Sequence, residues 1–262
     1  MKTRPCSVAG IFYPEEPSHL EQLLEKFFKG KEQRISACGV VAPHAGYVYS
    51  GETAATAFSA IDAGFAGTFV VIGPSHRGFL TCASAIPWET PLGIVDTDTE
   101  FVDALDIEVD EISHIEEHSI ETQIPFVKYR FPRSRIAPIM MGDQDIEAAV
   151  ALGEKIIDAK RATKRDIRIV ASSDFSHYVP DAFARENDGY AIAALRTLDV
   201  QEFYRRIGER GVSSCGYGPI AAACTACRSF GATEARLLSY ATSGDATGKY
   251  ANVVGYAALA IV

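Results

Sequence analysis

"VVIGPSH", residues Val70 to His76, decides how the rest of the chain is read. An unbroken apolar run ends at a Gly-Pro turn, and a histidine follows two residues later. A short, β-branched run closed by turn residues reads as a strand buried on both faces. The pattern recurs in "VVAPHAGY", where His44 follows Pro43, and in "IRIVASSDFSH", which ends with Asp174 and His177. Three buried strands thus finish in residues able to bind a metal or move a proton.

Helix-like segments lie between these strands. "SHLEQLLEKFFKG" spaces Leu20, Leu23, Leu24, Phe27 and Phe28 as one helical face, with Ser18 as a cap and Gly30 as a stop. "SGETAATAFSAI" reads as a helix of small residues, and "SIETQIPFVKYRF" as one helix with Pro125 early in it. "DIEAAVALGEKIIDAK", "FARENDGYAIAALRTL", "VQEFYRRIGERG" and "GPIAAACTACRSFG" read as four more. "CASAIP", "RIAPIMMG", "ARLLSYA" and "VVGYAALAIV" read as strands, "FVDAL" starts a short helix, and Ser113 to Ser119 reads as loop. Strands alternating with helices predict a single α/β domain over residues 1–262, with a central mainly parallel or mixed sheet covered on both faces.

Size and charge narrow the function. The chain has 262 residues, 47% of them hydrophobic, and a formal net charge of −9. An acidic balance argues against a general nucleic-acid footprint. The basic stretch "KRATKRDIR" sits between a helix and a strand and reads as a solvated helix end. No apolar run is long enough for a membrane span, and the N-terminus lacks the pattern of a secretion signal. Six scattered cysteines in a chain of this length predict free thiols and a cytoplasmic protein.

In open α/β sheets, sites form where the carboxyl ends of strands meet loops. Two neutral imidazoles and one anionic ligand suit Fe(II), Zn(II) or copper, and His44 and His76 are the first pair. The anionic ligand is Asp174, Glu121 or a cysteine thiolate. Cys215, in the Gly-rich turn "SSCGYGPI" before a helix, is the cysteine best placed for it, although its spacing taken alone fits a buried apolar thiol better. His118 reads from position as a solvated helix-start residue, and with His114 as an i, i+4 pair only if that segment is helical. His19 reads as surface. "CTAC" (Cys224 to Cys227) has redox spacing but lies in an apolar helix, where core thiols are expected. "SDFSH" carries Ser176, His177 and Asp174, but sequence proximity is not a catalytic triad.

Six stretches, "RPCSVAGIFYP", "PHAGYVYSG", "GPSH", "EHSIETQIPF", "SSDFSHY" and "CGYGPI", resemble the Memo-like family, whose microbial members are described as protein B of the AmmeMemoRadiSam system. The resemblance runs close to full length. It implies a fold like the class III extradiol dioxygenases, a metal site of His44, His76 and Cys215, and Asp174 at the same pocket. It also implies His177 as acid/base, His118 as a pocket residue, and a functional link to a radical-SAM protein. Those dioxygenases use a glutamate where this chain has a cysteine. A thiolate is softer and oxidisable, so ring cleavage does not carry over directly. Two functions follow as expectations. One is a non-haem metal-dependent oxidoreductase with a 2-His-1-Cys site, holding Fe(II) or copper rather than zinc and acting on a small molecule. The other is a non-catalytic protein that keeps the fold and binds a peptide or partner.

Overall fold

Successive residues of the Val70–His76 run enter different cores. Val70 and Ile72 join one apolar cluster, while Phe69 and Val71 join the other. A strand sends alternate side chains to opposite faces, so a run apolar at every position must be covered on both. Each fully buried Val, Ile or Phe contributes roughly 1.5–3 kcal/mol.

The structure is a computed structural model describing residues 2–31 and 35–262. Its elements run α1 (Pro17–Phe28), β1 (Gly39–Ala42), α2 (Tyr47–Phe58), β2 (Thr68–Pro74), β3 (Cys82–Ala83), α3 (Thr99–Ala104), α4 (Glu111–His114), α5 (His118–Glu121) and α6 (Ile124–Arg130). The second half runs β4 (Arg135–Met141), α7 (Ile146–Thr163), β5 (Ile167–Ser172), β6 (His177–Val179), α8 (Asp181–Leu195), α9 (Val200–Arg210), α10 (Tyr217–Ser229), β7 (Ala235–Thr242), α11 (Ser243–Thr247) and β8 (Val253–Ile261).

The sheet is mixed, in the order β3-β4-β2-β5-β1-β8-β6, with β7 also paired to β8. Its centre, β4-β2-β5-β1, is parallel. β3 and β8 join it antiparallel, and β6 and β7 pair antiparallel with β8. The carboxyl ends of β2, β5 and β1 are therefore neighbours on one edge, and these are the strands that lead into His76, Asp174 and His44. One core carries residues of α3, α7, α8, α9 and α10, and the other residues of α1, α2, α5 and α6. This is the expected single-domain α/β architecture with helices on both faces. Among the described residues no helix is long and apolar enough to cross a membrane.

Several local expectations differ. Ser18 is not the cap of α1: Glu16 holds that position and Pro17 opens the helix, where its missing N–H is unneeded. The segment read as one helix from Ser119 to Phe131 is two, α5 and α6, with Pro125 in the first turn of the second. The segment read as loop, Ser113 to Ser119, contains the end of α4 and the start of α5. The sequence reading also passed over β6 and α11, which lie at the mouth of the site.

Candidate metal centre

The link from β1 to α2 carries His44, the turn after β2 carries His76, and α5 begins with His118. The ligand atoms of these three imidazoles lie within 4.8 Å of one another. The His44 ring stands edge-on to those of His76 and His118, with centroids 5.2 and 5.5 Å away, while His76 and His118 stack at 4.4 Å. α5 comes this close because the next-to-last residue of β2 is glycine. A Cβ on Gly73 would sit 2.4 Å from Ser119 Oγ and 2.8 Å from Ile120 Cγ1.

Hydrogen bonds decide which nitrogens are free. Ser172 Oγ donates to the Ser119 carbonyl at 2.6 Å and accepts from Gln123 Nε2 at 2.8 Å. Its proton is thus committed, so the 2.9 Å contact with His44 Nδ1 is a bond donated by the ring. That leaves the Nε2 lone pair of His44 facing the site. Burial, then the neighbouring imidazoles, hold His44 well below the usual histidine range, so the ring is neutral at pH 7.

Glu117 does the corresponding work for His76. It accepts from the His76 backbone N–H at 2.7 Å, the Ser119 N–H at 2.8 Å and His76 Nδ1 at 2.9 Å. Burial pushes this carboxyl up, but the bonds from His76 and Ser119 overcome it and hold it at about 2. A carboxylate can only accept, so His76 presents Nε2 outward. Carboxylate–histidine pairs of this kind orient metal-binding imidazoles. His118 is held at about 4, first by burial and then by the charge of His76.

The loop before α10 lies along the segment after β5. Cys215 N–H donates to the Asp174 carbonyl at 3.2 Å, and Gly216 N–H to Ser173 Oγ at 3.0 Å. A Cβ on Gly216 would fall 2.4 Å from the Ser172 carbonyl oxygen, so glycine permits the approach. Cys215 Sγ thereby reaches 3.1 Å from His44 Nε2. Burial, then the Asp174 charge, push its thiol well above the usual range. Asp174 accepts the His44 backbone N–H at 2.8 Å, and burial raises its carboxyl to about 6.

His177 lines the same cleft, of about 630 Å³, with His44, His76, His118 and Asp174. Its Nδ1 lies 2.8 Å from the Ser213 carbonyl, which can only accept, so Nε2 is its basic nitrogen. The structure therefore brings His44, His76, His118, Asp174, His177 and Cys215 to one place. Cys215 meets the imidazole cluster at His44, and His118 is the third member of that cluster. Two imidazoles with Nε2 turned to the site and an adjacent sulfur form a donor set that fits a transition-metal ion.

Two candidates fall away. Glu121 is not at the cluster: it pairs with Arg4 and accepts from Tyr13 Oη at 2.6 Å and Ser7 Oγ at 2.6 Å. His114 does not pair with His118 but is buried against Trp88 and Cys82. Cys224 and Cys227 are buried thiols in α10, and His19 is exposed, as read from sequence. Sequence reasoning missed Glu117, Ser172, Gln123 and Ser213. All four fall inside quoted stretches, but each matters only because the fold sets it behind an imidazole or its partner. Asp188 was also missed; it is buried and accepts from Ser176 Oγ and Tyr240 Oη, both at 2.5 Å, bracing the turn that carries His177.

The sequence model of the Memo-like protein family matches residues 4–260. A "MEMO1 family protein" of Methanosarcina barkeri is 44% identical, over 98% of this chain and 99% of the relative. Proteins of the same description are 43% identical in Archaeoglobus fulgidus, over 96% of this chain and 97% of the relative. In Methanothermobacter thermautotrophicus one is 41% identical over 99% of this chain and 100% of the relative.

Proposed function

The chain belongs to the Memo-like protein family, and on that premise we propose that it binds one transition-metal ion at the tips of β1, β2 and β5 and works there as a non-haem oxidoreductase. The observation that carries the reading is the set of three imidazoles from separate segments of the chain with ligand atoms within 4.8 Å of one another. His44, His76 and Cys215 are the assigned ligands, and His118 is near enough to complete the set. Imidazole suits iron, copper and zinc, while the sulfur pulls toward softer ions; a redox role selects Fe(II) or copper over zinc. When bound, such an ion supplies Lewis-acid and one-electron chemistry.

The protein's own groups do the rest. Asp174, held at about 6, ties the His44 backbone in place and exchanges a proton near neutral pH. His177 offers Nε2 to a substrate proton, because Ser213 occupies its Nδ1. His118 meets the substrate as a neutral ring, packed on Phe12 at 4.8 Å. Phe12, Tyr49 and Tyr178 line the cleft and suit a small molecule with an apolar or ring-shaped body. Six free cysteines support a cytoplasmic setting, and the family resemblance supports a link to a radical-SAM protein.

Metal content after purification without chelators, followed by oxygen uptake with catechol-type substrates, tests the reading. Stoichiometric iron or copper with turnover is expected; protein that takes up neither ion overturns it. The second reading, a non-catalytic peptide-binding protein, draws on Tyr178, which lines the cleft and is 77% exposed. A peptide that binds metal-free and metal-loaded protein equally, without turnover, selects that reading.

A further inference from the structure

We infer that Arg4, which touches none of the assigned ligands, is a positioning residue for the metal centre. The inference rests on the metal-binding reading above.

Arg4 is wholly buried, with its guanidinium 4.3 Å over the Trp88 ring. Nε donates to the His114 carbonyl at 3.1 Å, and Nη2 to the carbonyls of Ile115 at 3.1 Å and Glu117 at 3.0 Å. Nη1 donates to the Pro5 carbonyl at 3.0 Å and pairs with the Glu121 carboxylate. Two of these acceptors, Ile115 and Glu117, belong to the short link between α4 and α5, and a third, His114, is the last residue of α4. Each of those helices has four residues, too few to hold a shape without outside contacts. The conformation of the link is therefore set by what grips it, and Arg4 grips it at two carbonyls and the end of α4 at a third.

That link ends in Glu117 and His118. Glu117 fixes both the backbone and the ring of His76, and its Oε1 lies 3.6 Å from His118 Nδ1. A shift in the Glu117 backbone thus moves the orienting partner of one imidazole and the attachment point of another. Glu121 closes the loop from the other side. It accepts from the backbone N–H groups of Ser7 and Val8, both at 3.0 Å, and so ties the N-terminal segment to α5. The buried cation and anion neutralise each other, and leaving either unpaired would be strongly unfavourable.

A lysine keeps the charge but has no planar fork to reach carbonyls and a carboxylate together. Arg4→Lys therefore separates positioning from charge. The first readout is the His76 Nδ1–H resonance in metal-free protein, a proton that its bond to Glu117 shields from exchange. The second is affinity for Co(II), used as a probe ion and read by its visible spectrum. Arg4→Lys is expected to shift or broaden the resonance and to weaken Co(II) roughly 10- to 100-fold, the range for losing a partner behind a ligand. Gly153→Ala, crowded against Thr225 at the α7–α10 contact, is the control for lost stability and should leave both readouts unchanged. If Arg4→Lys does not fold, Tyr13→Phe removes one bond to Glu121, leaves both charges, and should move both readouts the same way by less.

A wild-type resonance and wild-type Co(II) affinity in the folded Arg4→Lys protein, or in Tyr13→Phe where the lysine variant does not fold, overturn the inference. Equal losses in Gly153→Ala also overturn it. If the wild-type protein takes up no Co(II), the metal reading fails by itself, and the metal-free resonance still decides whether Arg4 positions His76.

Discussion

The Sγ of Cys215 lies 3.1 Å from Nε2 of His44, across 171 residues of sequence. Ser172 holds the other ring nitrogen, so the thiol proton points at the lone pair a metal would use. Sulfur rather than oxygen at this place should set the metal preference. Cys215→Ser keeps the shape and replaces a soft donor with a hard one. Its Cu(I) affinity, measured by competition with a chromophoric chelator, should fall at least tenfold, with a thermal midpoint close to wild type. Unchanged Cu(I) affinity would remove the sulfur from the ligand set.

His76 sits in a turn after β2 with its side chain 32% exposed, so no core packing depends on it. His76→Ala should lose most bound metal and keep the wild-type circular dichroism spectrum. Glu117→Gln should weaken metal about 10- to 100-fold through the imidazole it orients. Retention of full metal occupancy by His76→Ala would show the ligand assignment to be wrong.

Gly73→Ala tests the contact that brings α5 to the end of β2. The new methyl would overlap Ser119 and Ile120. Overpacking of this kind costs about 1–3 kcal/mol. Denaturant titration should show that loss, together with weaker metal binding as His118 moves away. A variant as stable as wild type would mean that α5 gives way freely.

His114 makes stability depend on pH. Burial, against a hydrogen bond the ring donates to the Cys82 backbone and with the Arg4 charge adding, holds its ring at about 4, while the unfolded value lies near 6.5. Between those values the unfolded chain binds a proton at this site and the folded chain does not. Stability from this group is therefore fully present above about pH 6.5 and declines as pH falls toward 4, with a slope approaching 1.4 kcal/mol per pH unit. His114→Leu should flatten the curve of unfolding free energy against pH in that window. An identical slope in the two proteins would show that His114 is not held neutral.

Much of the fold was legible because its central strands carry unbroken apolar runs. Residues 69–72 and 169–171 cannot lie on a half-exposed sheet, and the helical spacing between strands supplies the cover. The strand-tip histidines were legible for the same reason: they stand where core packing has ended. The tight turns were less so. Pro125 looked like an early proline in a single helix, but it opens a second one, because Thr122 and Gln123 turn the chain between α5 and α6. His118 read from position as solvated; it is partly buried because its ring packs on Phe12 and stacks on His76, both distant in sequence. Glu117 and Arg4 open two of the quoted stretches, but nothing local marked their roles, which exist only once the N-terminal segment crosses the link between α4 and α5.

The most direct test is an anomalous difference map at the metal's absorption edge, from crystals of protein purified without chelators. The account predicts one peak, within bonding distance of Nε2 of His44 and of His76, with the Cys215 sulfur beside it. Crystals of metal-loaded protein whose only peak lies away from those three side chains would contradict it.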